Sequence, residues 1–144
     1  MKKPLKRLPN KVNYKYFFTK NLKKKNLKNT EMFKGCVGFR CLKSAKVRYS
    51  EIESIRRTLY FNFKSIKIWF NLEFNVAVRS KSSESRMGKG KGKIVGWAAH
   101  VAKGSVFMEL GNINSKDLEL KLVKAVLKKI SLDCLVIYKS LFPY

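Results

Sequence analysis

The residues best placed to do chemistry are Arg86-Met87-Gly88-Lys89-Gly90-Lys91-Gly92-Lys93, in which glycine and lysine alternate from Gly88 onward. Glycine tolerates positive φ and lets the backbone approach another surface closely. Lysine adds compact, flexible point charges. Together they make an extended cationic finger with free backbone N–H groups, which suits a polyanion. It is not a nucleotide phosphate loop, because no Gly-Lys-Ser/Thr stands at the required spacing. Nor is it a dinucleotide fingerprint, since position 93 is lysine and position 95 is valine. No nucleophile, base and orienting group can be assembled from the scattered carboxylates and the single histidine, His100. Cys36-x4-Cys41 with His100 lacks a fourth zinc ligand. The chain therefore reads as a non-enzyme with no catalytic residues, no metal and no cofactor.

Composition supports the polyanion. The chain of 144 residues carries 33 Lys+Arg against 9 Asp+Glu, a net charge of +24 and a pI near 10.2. Such self-repulsion opposes compaction unless a partner neutralises it. Nucleic acid is the leading partner and an anionic membrane surface the second. Lysine outnumbers arginine, which favours phosphate contacts over planar base readout. The 45% hydrophobic content predicts a true core within one domain. Cys36, Cys41 and Cys134 are too few for a disulfide framework and read as small buried hydrophobes in a reducing compartment. No uninterrupted apolar run is long enough to span a membrane.

The elements that must position the finger follow from periodicity. Residues 1–32 form a basic arm, with Lys11, Lys15 and the run Lys23-Lys24-Lys25 interleaved with Tyr14, Tyr16, Phe17 and Phe18. A retained arm that orders on an RNA backbone fits better than a cleaved presequence. Residues 33–144 form one α+β domain, with the finger loop at 79–93. Residues 35–48 alternate as one or two strands that include Arg40. Ser50-x-x-Glu53 suggests a capping box, followed by Ile52, Ile55, Leu59 and Phe63 on one helical face with Arg56 and Arg57 off it. Ile66 to Phe74 alternates as a half-buried strand. Residues 94–101 and 105–110 predict two strands joined in a hairpin through Ala102-Lys103-Gly104. Ser115 caps a second helix with Leu118, Leu122, Val126 and Ile130 inward, and Cys134 to Tyr138 closes the chain as a strand. The second helix partly fits a membrane-surface helix, but its apolar stripe is also what a core helix shows.

These residues resemble a family. Arg-Met-Gly-Lys-Gly-Lys-Gly at 86–92, followed by Trp97-Ala98 and Gly104-x-x-x-x-Glu109, is similar to the large-subunit ribosomal protein sixteen family of bacterial and organellar ribosomes. Ile52-Glu53 with Arg56-Arg57 resembles its first helix, and Lys67-Ile68-Trp69 the strand that follows. The resemblance covers about residues 33–139. It implies a hammerhead-type α+β sandwich with a mixed or antiparallel sheet and two helices, seated beneath the central protuberance. It also implies binding to large-subunit rRNA and contact with neighbouring large-subunit proteins. The finger residues Arg86, Met87, Gly88, Lys89, Gly90, Lys91 and Gly92 would lie near tRNA at the peptidyl-transferase region. Lys11, Lys15, Arg40, Arg56, Arg57 and Lys93 would hold rRNA. The chain departs from the pattern at Glu73-Phe74-Asn75 and at Lys43-Ser44-Ala45-Lys46, and the family's register starts the first helix near Arg48. Such drift, with the richness in Lys, Asn, Phe and Ile of an AT-rich genome, points to a mitochondrial ribosome, with a plastid as the alternative. The competing function is binding to anionic membranes or to RNA outside the ribosome.

Overall fold

The computed structural model describes residues 30–88 and 90–139. Most of the basic arm, with Lys11 and Lys15, and Lys89 of the finger lie outside the described residues. In chain order the elements are β1 (Val37–Cys41), β2 (Ala45–Arg48), α1 (Tyr49–Asn62), β3 (Lys67–Phe70), β4 (Val76–Ser80), β5 (Lys93–Val101), β6 (Val106–Gly111), α2 (Lys116–Leu127) and β7 (Cys134–Tyr138). The strands form two antiparallel sheets, ordered β3-β6-β1-β7 and β2-β5-β4. This is the expected α+β class.

One bent ribbon serves both sheets. Arg40 pairs with Val106 and Ala45 with Val101, so the two pairs stand five positions apart on either strand. Between them the chains stay bonded through a corner. The Cys41 N–H donates to Ser105 O at 2.9 Å, the Gly104 N–H donates to Cys41 O at 2.7 Å, and the Lys103 N–H donates to Ser44 Oγ at 2.9 Å. Gly104 turns this corner at φ 82°, in the left-handed region that favours glycine. The expected β5–β6 hairpin is therefore a correction. The two strands exist, but they belong to different sheets, and the short connection switches between them as in sandwich corners.

The core joins both sheets and both helices. Phe39, Val47, Ile52, Ile55, Leu59, Met108, Leu110, Leu122 and Val126 are all buried. Each large aliphatic side chain so placed contributes about 1.5–3 kcal/mol. On α1 the buried residues are Ile52, Ile55 and Leu59, the first three of the predicted stripe, while Phe63, expected as its fourth, is the C-cap beyond the helix and only half-buried. The capping box does not form. β2 runs directly into the helix, and Arg48 is the N-cap in extended backbone with no side-chain bond. Ser50 lies inside the helix, and Glu53 turns to Arg56 and Arg57 instead. On α2 the cap is as expected: Ser115 Oγ accepts from the Leu118 N–H at 3.3 Å, and Asp117 and Glu119 sit in the first turn.

The strand expected over residues 66–74 is shorter, because ladder pairing to β6 ends at Phe70. Leu72 and Phe74 are buried all the same, and the Phe74 ring meets Tyr49 edge-on at 5.1 Å. Trp69 covers Gly111, where a Cβ would stand 2.8 Å from its ring.

Candidate nucleic-acid interface

The finger is the tip of a β-hairpin. β4 and β5 pair from Val76↔Ala98 to Ser80↔Lys93, with an irregularity between Val78 and Arg79. β4 is absent from the sequence reading, which begins the polar connection at residue 79; the loop itself spans residues 81–92. Its neck is tight. A Cβ on Gly92 would fall 2.5 Å from Ser80 O, and Arg79 Nη1 donates to Gly92 O at 2.9 Å. Only glycine lets the two backbones come this near. Beyond the neck the Ser85 N–H closes a turn onto Ser82 O at 3.1 Å. Gly88 and Gly90 take φ of 100° and 78°, and nothing lies within 4 Å of a Cβ on either. Arg86, Met87, Gly88, Gly90 and Lys91 are exposed, Met87 fully. Lys93, also exposed, opens β5 at the base of the hairpin.

Arg56 and Arg57 stand on the outer side of α1. Arg56 grips Glu53 through two bonds, Nε to Oε2 at 2.8 Å and Nη2 to Oε1 at 2.7 Å. Arg57 Nε reaches Glu53 Oε1 at 3.1 Å. The Arg56 hydrogen bond, joined by that from Arg57, holds the Glu53 carboxyl below the usual carboxylate range despite partial burial. Arg40 is different: it is half-buried on β1, and its Nη2 donates to Thr30 O at 3.0 Å, so it braces the chain leading into the domain. The described members of the expected set thus fall in separate places, the hairpin, the α1 face and β1.

Glu109 has a role that sequence reasoning missed. It is 1% exposed on β6, and its Oε2 accepts from the Lys34 and Gly35 N–H groups, both at 2.8 Å. Asn71 Nδ2 donates to its Oε1 at 3.0 Å. Burial pushes the carboxyl upward, but these donors together outweigh it and hold the group below its ordinary value. The clasp fixes where the chain enters the domain. An isolated acid within an apolar strand was the available signal, because buried charge demands partners.

Of the three cysteines expected inside, Cys36 is exposed; Cys41 and Cys134 are register partners across β1 and β7, and burial raises both thiols. Among the described residues no cluster of His, Cys, Asp or Glu could hold a metal, and no helix is long and apolar enough to cross a membrane.

Comparison with known proteins bears on this arrangement. The family model described as ribosomal protein L16p/L10e matches residues 9–137. A large ribosomal subunit protein uL16c from Cyanidium caldarium is 32% identical over 127 residues, 88% of this chain and 90% of that protein. A large ribosomal subunit protein uL16m from Marchantia polymorpha is 35% identical over 82 residues, 56% of this chain and 61% of that protein, so this match spans less than two thirds of the relative. With the finger motif held on a hairpin neck, the chain belongs to the L16p/L10e family of ribosomal proteins.

Proposed function

We propose that the protein binds large-subunit rRNA in an organellar ribosome and presents its finger toward tRNA near the peptidyl-transferase region. Family membership makes it a structural component of the large subunit rather than an enzyme. The observation that carries the finer reading is the finger loop, exposed at Arg86, Met87, Gly88, Gly90 and Lys91, clamped at Gly92 and left-handed at Gly88 and Gly90. A clamp with an exposed cationic loop can reach into a crowded polyanion, where lysines neutralise phosphate and glycines allow backbone contact. Arg57 and the oriented Arg56 supply a second contact on α1. A mitochondrial ribosome is the proposed host: the sequence drift favours it, while named relatives include both a uL16m and a uL16c protein.

Sedimentation of an organellar lysate, with the protein followed by mass spectrometry, tests the assignment. Co-migration with the large subunit in moderate salt and loss in high salt is the expected result. Recovery in membrane or free fractions would overturn it. For the finger, the double change Lys89→Ala with Lys91→Ala should impair tRNA-dependent steps more than incorporation into the subunit. Each phosphate contact removed lowers the salt slope of binding by about 0.7–0.9.

A further inference from the structure

We infer that the outer face of α1 carries a stacking site for unpaired RNA bases, built from Tyr60 and Phe61 beside Arg56 and Arg57. The inference rests on the rRNA-binding reading above and adds a ligand class to it. The inner stripe of the helix is complete without these aromatics, since Ile52, Ile55 and Leu59 are at most 1% exposed. Phe61 is nevertheless 82% exposed and Tyr60 52%. Helical spacing sets Arg56 with Tyr60 and Arg57 with Phe61, both at i,i+4, so cations and rings share one face. Glu53 draws both guanidinium groups one turn back toward the helix start. A shallow depression of about 490 Å³ is lined here by Arg56, Arg57, Thr58, Tyr60, Phe61 and Asn62.

The mixture selects the occupant. An unpaired nucleotide has an apolar π-face for the rings and a phosphate for the arginines, and single-stranded RNA is recognised in this way. A duplex keeps its bases stacked and would leave both rings in water. A purely apolar partner would have to desolvate the arginines. With a net charge of +24 on the chain, an RNA loop or bulge is the occupant that matches both the exposed rings and the cations of this face.

The test is binding of the full chain to a short single-stranded adenosine oligonucleotide and to a blunt RNA duplex across a salt series. Phe61→Ala should weaken the oligonucleotide roughly 5- to 100-fold. Its salt slope should be unchanged, because stacking releases no counterions. Duplex binding should not change, and Phe61→Trp should restore the oligonucleotide. Arg57→Ala should instead flatten the salt slope by about 0.7. Unchanged oligonucleotide affinity in Phe61→Ala, or an equal loss on duplex, would overturn the stacking site while the rRNA reading stands. A loss confined to phosphatidylglycerol vesicles would overturn it in favour of a membrane contact. If the unmodified chain binds neither RNA, the rRNA reading itself fails and takes the site with it.

Discussion

On α1, Arg56 and Arg57 are held to Glu53 at 2.7–3.1 Å, on a helix whose other side is locked into the core. In the finger, cations alternate with glycine beyond the Gly92 neck, and the described residues from 81 to 91 are exposed. On the proposed reading, the two regions would meet a polyanion in two ways. The helix orders its groups beforehand, so less entropy is lost on contact. The finger gains close backbone approach and reach from its glycines. The difference teaches that a net charge of +24 is not one undifferentiated coat. Part of it is paired to an acid on a helix, and part stands exposed on a hairpin loop.

The comparison breaks most sharply at the neck. Gly92→Val puts a side chain against Ser80 O and C, at 2.5 and 2.7 Å from the Cβ, both of them backbone. The hairpin should open at its end, with a loss of about 2 kcal/mol or more visible as a lower melting temperature. Contacts through α1 should persist. An unchanged melting temperature would mean that the neck is not closed as described.

A smaller effect is expected at the tip. Alanine at Gly88 or Gly90 meets no neighbour but must adopt positive φ, costing about 1 kcal/mol locally. Melting should hardly move, while tRNA-dependent steps should slow. The harm there comes from backbone conformation rather than collision. An equal effect on melting from 88, 90 and 92 would erase the distinction between neck and tip.

The smallest change concerns the scaffolded side. Because the Glu53 pKa is lowered on folding, its contribution to stability is present above the unfolded carboxylate value and is lost as pH falls through the folded one. Glu109 acts with the same sign. Stability should therefore decline from about pH 5 downward. Glu53→Gln should remove only part of that decline, costing about 0.5–1 kcal/mol near neutral pH. Thermal melting against pH checks both, and an identical profile in Glu53→Gln would show that the α1 arginines are not organised by this acid.

Much of this was legible in sequence, for a physical reason. Ile52, Ile55 and Leu59, or Leu122 and Val126, announce helices because the period is local. The finger motif was equally plain. β4 was not, because Val76-Ala77-Val78 is a short half-buried edge segment whose strand character comes from pairing with β5. The β5–β6 connection misled because a short turn with Gly104 serves a hairpin or a sheet switch alike, and only distant partners decide between them. Ser50 misled because β2 feeds α1 without a loop, leaving no place for a side-chain cap. Arg40 and Glu109 gave up their partners, Thr30 and the Lys34 and Gly35 amides, only in three dimensions.

β5 also acts as a gauge block. Lys93 faces Ser80 at the neck, and Ala98 faces Arg48, the residue from which α1 departs. Five strand steps, about 17 Å at the usual rise, thereby set the gap between the base of the finger and the root of the helix. Insertions between residues 81 and 91 would lengthen the probe and leave that gap untouched. A single residue added within the strand would turn its inward side chains outward. Evolution can tune how far the finger extends, but the spacing between its base and the root of α1 is machined into the sheet.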